Sequence, residues 1–275
     1  MIDSFDIERA KYRELWDECS RAFNPAGIYA CNFGASGQRG VYPDYSLAKN
    51  GSINDGTAHG SNVFVRPSIY QGMVCTHHIG TSANDHITFP DTALPSGAQN
   101  VSISIWFNAT TYDTGSGVSV IITYGNTLAG GGGSFYKSVQ IYLAVGGLYC
   151  GTYGSDIGPV PWSEFTGKWT HVAYTKAGNS VRIYINGRLY TSGTLGGAAN
   201  VTLWGNGYIG ANNDIGMKYP YFGYVGTSAI YSRIISDEEI RLLSSDQQIM
   251  WEEEAIALYL TASTGNRRRR VLMTQ

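Results

Sequence analysis

The sequence has little charge and little cysteine. Only 15% of its 275 residues are charged, and the formal net charge of -2 creates no field that would attract nucleic acid or an anionic membrane. The four cysteines lack the short spacing of a zinc or redox site, and we expect them to pack as small apolar side chains. No apolar run approaches the roughly 18 residues of a membrane span, and the N-terminus lacks the basic and apolar regions of a signal peptide. We therefore expect a soluble chain with no nucleic-acid or membrane partner.

Glycine and tyrosine are abundant instead, with 35 and 20 residues. This bias is typical of short strands that meet at tight turns and carry half-buried amphipathic rings. Residues 101–107 alternate with period two, and their predicted core face carries Val101, Ile103, Ile105 and Phe107. Further strands are predicted at 118–124, 138–145, 169–175, 181–186, 188–191, 200–204, 208–211 and 221–232. Because no helical pattern separates them, the predicted fold is an antiparallel β-sandwich.

One hairpin is specified by its turn. Asn186 and Gly187 supply the two positive φ angles of a type I′ turn, whose twist matches that of the flanking strands. The turn fixes the register of the strand before it. On this register the core face carries Val181, Ile183 and Ile185, and the opposite face carries Arg182 and Tyr184.

Both ends of the chain have helical signals. Residues 7–23 follow an amphipathic pattern, and Ser236 with Glu239 forms a capping box that begins a second helix. The residues that would pack the second helix on the sandwich are Ile240, Leu243 and Ile249. We divide the chain into an N-terminal helical attachment segment (1–25), a β-sandwich (26–236), and a C-terminal helix with a basic tail (237–275).

The basic tail contains the one concentration of charge in the sequence: Arg267, Arg268, Arg269 and Arg270. One interpretation is a solvated extension, and the other is an assembly contact that docks on an acidic partner surface. The apolar residues 255–260 before the tail fit either a helix or a strand.

Several segments resemble one family. Residues 167–174, Gly-Lys-Trp-Thr-His-Val-Ala-Tyr, and the hairpin after them resemble a strand pair of the laminin-G-like, concanavalin A-like superfamily. Residues 208–211 and 222–240 are similar to its closing strand and capping-box helix, and residues 84–90 to an earlier strand. Residues 15–53 resemble the opening of such modules in phage and prophage virion proteins. The resemblance implies an all-β, antiparallel jelly-roll sandwich with short N- and C-terminal helices.

The resemblance also implies a function. We expect a non-enzymatic virion structural or decoration protein that displays a lectin-like sandwich, contacts other virion proteins or copies of itself, and aids attachment to surface glycans. The alternative is a secreted or surface carbohydrate-binding adhesin, located outside the cell.

A glycoside hydrolase is the third hypothesis. Retaining enzymes of this kind place two carboxylates about 5–5.5 Å apart, which on one strand requires acids at alternate positions. No predicted strand carries that pattern. We therefore expect no catalytic residues and no enzymatic activity.

Carbohydrate binding requires exposed rings that stack on sugars, together with amides or carboxylates that bond hydroxyls. Aromatic residues in or beside predicted loops lie close to such polar residues in the sequence. The candidate ligand-binding residues are Trp162, Trp204, Tyr208, Asn212, Asn213, Asp214, Tyr219 and Tyr221. Each ring could instead pack within its own fold.

Calcium is the one cofactor that the sequence leaves open. Asp113, Asp156 and Asp214 could supply oxygen ligands if their loops meet, or could bond their own turns instead. Gly226 stands where the family usually has an aspartate, which removes one carboxylate that could help a metal. We therefore expect no cofactor, with calcium as the alternative.

Two further features have structural interpretations. His171 shares one face of a strand with Trp169 and Ala173, which predicts a half-buried, hydrogen-bonded histidine. A Ser-His-Asp arrangement would need a serine and an aspartate whose positions in space the sequence does not give. Residues 130–133 are four glycines without the Lys-Ser/Thr of a phosphate-binding loop, so they predict a loop tip.

Overall fold

The computed structural model describes residues 85–126, 135–212 and 219–245, together with five short strands nearer the N-terminus. The early strands are β1 (Gly27–Tyr29), β2 (Val41–Tyr42), β3 (Gly56–His59), β4 (Val63–Val65) and β5 (Cys75–Ile79). The later strands are β6 (His86–Pro90), β7 (Val101–Thr111), β8 (Val118–Gly125), β9 (Ser138–Ala144), β10 (Gly147–Thr152), β11 (Ser155–Val160), β12 (Thr170–Ala177), β13 (Ser180–Ile185), β14 (Arg188–Thr194), β15 (Asn206–Ile209) and β16 (Phe222–Tyr231). A 3-10 turn spans Trp162–Glu164, and helix α1 spans Asp237–Leu243. The predicted helix over 7–23 and the arginines of the basic tail lie outside the described residues.

The strands form two antiparallel sheets. The first has the order β14-β13-β12-β7-β16-β5-β4, with β1 also paired to β16. The second has the order β11-β10-β9-β8-β15-β6-β3-β2. Strands distant in sequence are neighbours in both sheets, as in a jelly roll. The predicted all-β antiparallel sandwich is therefore confirmed.

The core lies between the two sheets. The predicted core face of β7 is confirmed, because Ile103, Ile105 and Phe107 are fully buried among residues of the opposite sheet. The other face of β7 is also covered, and Trp106 is only 7% exposed. Its Nε1 donates to the carbonyl of Leu243 at 3.0 Å, so the end of α1 lies over the outer face of the first sheet.

The predicted hairpin between β13 and β14 is present. Asn186 and Gly187 have φ angles of 47° and 79°, as a type I′ turn requires. The Asn186 side chain has a second role that the turn signal did not show. Its Oδ1 accepts from the amide of His171 at 2.9 Å, and its own amide donates back to the His171 carbonyl at 2.9 Å. The hairpin is therefore tied to β12 by a reciprocal pair of hydrogen bonds.

Replacing Gly187 with alanine should destabilise the protein by more than the backbone strain alone. A left-handed φ costs an alanine about 1–2 kcal/mol, and the new Cβ would also meet Ser244 Oγ and the Arg241 backbone. Gly178 is the matched control, because it has a φ of 58° and nothing within 4 Å of an added Cβ. We expect Gly178→Ala to lower the free energy of unfolding in urea by the strain alone and Gly187→Ala to lower it further. Equal losses would show that α1 does not press on the hairpin.

The capping box predicted at the start of α1 is confirmed. Ser236 Oγ accepts from the Glu239 amide at 3.2 Å, and Glu239 Oε2 accepts from the Ser236 amide at 2.7 Å. Arg233 adds two contacts to the Glu239 carboxylate, at 2.6 and 2.9 Å. Ile240 and Leu243 are buried, as predicted, so α1 is fixed by both its cap and its apolar face.

The structure corrects two parts of the predicted strand series. Strands β10 and β11 were missing from the prediction, because glycines and Pro159 interrupt their apolar pattern. Residues 200–204 were predicted as a strand but form only an isolated bridge between Val201 and Gly97. The segment is a loop in which Val201 and Leu203 pack against the core and Trp204 is exposed.

Candidate functional site

The predicted sugar-binding rings are in very different environments. Tyr208 is 7% exposed and Tyr221 is fully buried, so neither offers an open ring face. Trp162 is half-buried, and its Nε1 donates to the carbonyls of Ala144 and Val145 at 3.1 and 3.2 Å. Trp204 differs from these three because its side chain is 52% exposed.

The other predicted ligand-binding residues lie in one connection between strands. Tyr219 has a φ of 63°, and its carbonyl accepts from the Val120 amide at 3.0 Å. Asn212 is 3% exposed, and its Oδ1 has no hydrogen-bond partner among the described residues. Asn213 and Asp214 lie outside the described residues. These positions are therefore not brought together with Trp204 by any described contact.

A second exposed ring was missed by the sequence analysis. Phe135 is 46% exposed and stacks on Tyr153, with ring centroids 5.3 Å apart. Its ring lies against Gly154, where any side chain would meet it. The available sequence signal is the Ser-Phe-Tyr segment directly after the four consecutive glycines. Only the glycines were interpreted, as a loop tip, and the ring beside them was not considered.

Phe135 and Trp204 lie on neighbouring segments of the fold. The Asn200 amide donates to the Tyr136 carbonyl at 2.9 Å, and the Thr202 amide donates to the Lys137 carbonyl at 3.0 Å. These bonds join residues 135–137 to the loop that ends at Trp204. We call the three rings carried by these hydrogen-bonded segments, Phe135 with its stacking partner Tyr153 and Trp204, the aromatic edge.

A buried carboxylate fixes the backbone at Trp204. Asp91 is fully buried, and its two oxygens accept from the amides of Trp204 and Gly205, each at 2.9 Å. The Leu94 amide donates to the Asp91 carbonyl at 2.9 Å, which fixes Asp91 in turn. An exposed ring on a backbone held in this way is preorganised, so it loses less conformational freedom on contact with a ligand.

Polar side chains accompany the exposed rings. Asn200, Thr202 and Asn206 are exposed along the same loop and at the start of β15. Amides and hydroxyls can donate to and accept from sugar hydroxyls, and aromatic faces can cover the apolar faces of sugars. The aromatic edge therefore combines the two kinds of group that carbohydrate recognition uses.

The calcium candidates occupy ordinary structural positions where they are described. Asp113 accepts from the amides of Gly115 at 2.9 Å and Ser116 at 3.2 Å, and hydrogen bonding led by the Ser116 side chain lowers the pKa of its carboxyl. Asp156 accepts from the Tyr142 hydroxyl at 2.7 Å. Within the described ranges, no three histidine, cysteine or acidic side chains are grouped as metal ligands.

The predicted half-buried histidine is in fact fully buried. His171 Nε2 lies 2.8 Å from Ser104 Oγ, and Nδ1 has no partner among the described residues. Burial lowers the pKa of His171 to about 3. Ser104 and His171 have no acidic partner among the described residues and no access to solvent, and a Ser-His-Asp site needs both. The role of this pair is therefore structural.

The fold and these positions can be compared with known proteins. A laminin-G family model, described as Concanavalin A-like lectin/glucanases superfamily, matches residues 81–241, which is more than half of the chain. The chain belongs to this superfamily. No curated protein sequence matches it significantly.

Solved structures with a similar fold agree with the architecture. The botulinum neurotoxin serotype G binding domain aligns with a TM-score of 0.58 and 14% identity, over 82% of this chain and 51% of that domain. Domain 4 of AbnA, an extracellular GH43 arabinanase from Geobacillus stearothermophilus, solved with arabinotriose, aligns with a TM-score of 0.54 and 19% identity, over 80% and 98%. Trypanosoma rangeli sialidase aligns with a TM-score of 0.52 and 16% identity, over 82% and 33%. This chain thus spans about half of the neurotoxin domain and a third of the sialidase, and at these identities the likeness concerns the fold.

A helix that crosses a membrane must be both long and apolar. In the described part of the chain, none meets both conditions for a membrane-spanning segment.

Proposed function

We propose that this chain is a non-catalytic carbohydrate-binding module that holds a glycan on the aromatic edge. The observation that carries the proposal is the pair of exposed rings, Phe135 and Trp204, on segments joined by backbone hydrogen bonds. Isolated exposed apolar residues are ordinary, but two large exposed rings on neighbouring hydrogen-bonded segments are a typical binding feature.

The structural comparisons support a glycan as the ligand. The arabinanase domain that aligns over 98% of its length is solved in complex with arabinotriose. A sandwich of this size can therefore hold an oligosaccharide without a second domain. That likeness supplies the class of ligand, and the choice of residues comes from the aromatic edge of this chain.

Binding without catalysis agrees with where three of the described acidic residues lie, Asp91, Asp113 and Glu239. Both oxygens of Asp91 are occupied by backbone amides, and Asp113 bonds its own turn. Glu239 holds the cap of α1 and Arg233. None of these carboxylates is available as one of a pair flanking a glycosidic bond.

Replacing Trp204 with alanine should weaken glycan binding about tenfold or more, because a central tryptophan in a binding surface commonly contributes over 1.4 kcal/mol. A glycan array containing arabinotriose first identifies a ligand for the full chain, and isothermal titration then compares variants. Phe135→Ala should weaken binding of the same ligand. Thermal unfolding of both variants should match that of the unmodified chain, because the two rings are exposed.

Tyr190 provides the matched control. Its side chain is 42% exposed on β14, in the first sheet, and it belongs to no part of the aromatic edge. Tyr190→Ala should bind like the unmodified chain. An array without hits, or equal losses in all three variants, would overturn the proposal.

A virion location stays a prediction from the resemblance of the sequence. A glycan-binding sandwich displayed on a particle would serve attachment, so the two roles are compatible. Arg267, Arg268, Arg269 and Arg270, the expected assembly contact, lie outside the described residues. Mass spectrometry of purified particles from the source would detect the chain if the prediction holds, and its absence there would favour the extracellular adhesin.

A further inference from the structure

Another pair of rings lies on the outer face of the first sheet, apart from the aromatic edge. Tyr224 of β16 is directly opposite Asn108 of β7. On the other side of β7, Thr170 is opposite Phe107, which places Trp169 beside Asn108. The rings of Trp169 and Tyr224 have centroids 6.3 Å apart and planes tilted by 47°. We call Trp169, Asn108 and Tyr224 the Trp169 cluster.

The face on which the cluster lies follows from the residues beside it. Asn108 stands between Phe107 and Ala109, which both belong to the core. Tyr224 precedes Val225, which also belongs to the core. Because side chains alternate along a strand, Asn108 and Tyr224 point away from the core, and the indole that contacts Tyr224 lies on the same outer face.

This part of the outer face is open to solvent. At Trp106 the face is covered, because the end of α1 lies there and the side chain is only 7% exposed. Asn108, two residues farther along β7, is half-buried, and Thr110 beyond it is exposed. Trp169 and Tyr224 are half-buried as well. The cluster therefore lies where the covered part of the sheet ends, and a ligand can reach it.

The backbone holds the cluster in one arrangement. Its side chains belong to three neighbouring segments of one sheet, and sites on strands are more rigid than sites on loops. A β-bulge between Phe222 and Gly223 directly precedes Tyr224, and bulges commonly redirect a side chain near a site. Gly223 has a φ of 144°, and an added Cβ there would meet the Asn108 carbonyl. The glycine therefore permits the close approach of β16 and β7 at the cluster.

The chemistry of the cluster suits a neutral sugar. Aromatic faces can cover the apolar side of a sugar ring, and the Trp169 Nε1 is a hydrogen-bond donor. The Asn108 amide adds two donors and one acceptor for hydroxyls. None of the three side chains is charged, and the neighbouring Lys168 directs its Nζ to the Ser163 carbonyl at 3.2 Å. An acidic sugar would therefore find no dedicated counter-charge in the cluster.

The cluster and the aromatic edge lie toward opposite ends of β7. Gly97, shortly before β7, forms a bridge with Val201 in the loop that ends at Trp204. Asn108 is seven residues after Val101, the first residue of β7, which is about 24 Å at the rise of an antiparallel strand. A short oligosaccharide bound at one place therefore leaves the other place open.

We propose that the Trp169 cluster is a second, independent site for a neutral sugar, so that one copy of the chain holds two glycans at once. The inference rests on the proposed function and adds a second site to it. Two sites on one rigid sandwich make binding to a glycan-bearing surface or to a long polysaccharide multivalent wherever both sites can engage together.

The test is isothermal titration of the full chain with arabinotriose, xylotriose and maltotriose, together with any trisaccharide found on the glycan array. The unmodified chain should bind two molecules of the same trisaccharide per chain. Trp169→Ala and Trp204→Ala should each bind one, and the double variant should bind none. Asn108→Ala should weaken the site that remains in Trp204→Ala about tenfold, and Tyr190→Ala should still bind two molecules.

The outcomes separate this inference from the proposed function. One molecule per chain, lost in Trp204→Ala and retained in Trp169→Ala, would show that the cluster is no site and leave the aromatic edge standing. One molecule lost only in Trp169→Ala would support the cluster and overturn the aromatic edge. If no trisaccharide and no array glycan binds, both proposals fail.

Thermal unfolding distinguishes a binding role of the cluster from a packing role. Asn108→Ala should unfold at the temperature of the unmodified chain, because its side chain is half-buried on an outer face. A lower unfolding temperature combined with two undiminished binding sites would mean that the cluster only packs the sheet surface, and the inference would be wrong.

Discussion

The free energy of unfolding should fall by about 2 kcal/mol more in the unmodified protein than in His171→Gln when the pH is lowered from about 6.5 to about 4.5. The cause is a fully buried imidazole that packs beside the Trp106 ring. Burial lowers the pKa of His171 from 6.5 to about 3, so the folded protein keeps this side chain neutral throughout the interval.

The direction of this pH dependence follows from the different pKa of His171 in the folded and the unfolded chain. Above pH 6.5 the imidazole is neutral in both the folded and the unfolded chain, so it adds no pH dependence. Below that pH the unfolded chain binds a proton that the folded chain does not, and stability falls by about 1.4 kcal/mol per pH unit. The loss continues until the pH approaches the folded value of about 3. The stability is therefore present at neutral pH and lost on acidification.

Urea denaturation at several pH values measures this slope. Ser104→Ala is the informative control, because it removes the neighbour at 2.8 Å but leaves the histidine buried. If burial is the cause, Ser104→Ala should keep the steep slope and only His171→Gln should flatten it. A slope that persists in His171→Gln would mean that other groups cause the acid sensitivity.

The main features of the fold were predictable because their signals are local. The alternation of 101–107, the Asn186-Gly187 turn and the Ser236 capping box each depend on residues within a few positions of one another. Strands β10 and β11 were not predictable in this way. Gly147, Gly151 and Gly158 lower their strand propensity, and only the pairing of β10 with β9 and of β11 with β10 makes them strands.

The candidate site was less predictable than the fold. The sequence indicated Trp204 as a ring in or beside a loop, but it also placed Trp204 at the end of a predicted strand and grouped it with Tyr208 and Tyr221, which are buried. Exposure depends on what covers a ring, and that is set by distant segments. Phe135 joins Trp204 only because the segments that hold them are hydrogen-bonded across the end of the sandwich. No spacing along the chain shows such a contact.

Asp91 connects the fold to the proposed site most directly. It lies 113 positions from Trp204, yet its carboxylate accepts from the Trp204 and Gly205 amides. Asp91→Ala would leave two partly buried amides without acceptors, and hydrogen bonds to charged groups contribute about 1.5–3 kcal/mol each. We expect a loss of about 2–4 kcal/mol in the free energy of unfolding, measured in urea.

Glycan binding should weaken in Asp91→Ala even at temperatures where the variant is folded, because the released loop no longer presents Trp204 in one orientation. Asp91→Asn should be intermediate in stability, since its amide keeps one acceptor oxygen and turns its donor group toward a backbone N–H.

Combining Asp91→Ala with Trp204→Ala gives the decisive comparison. If Asp91 acts on binding through the tryptophan, the double variant should bind no more weakly than Trp204→Ala alone. Additive losses would show that Asp91 supports the aromatic edge by another route, most directly through the Gly205 backbone.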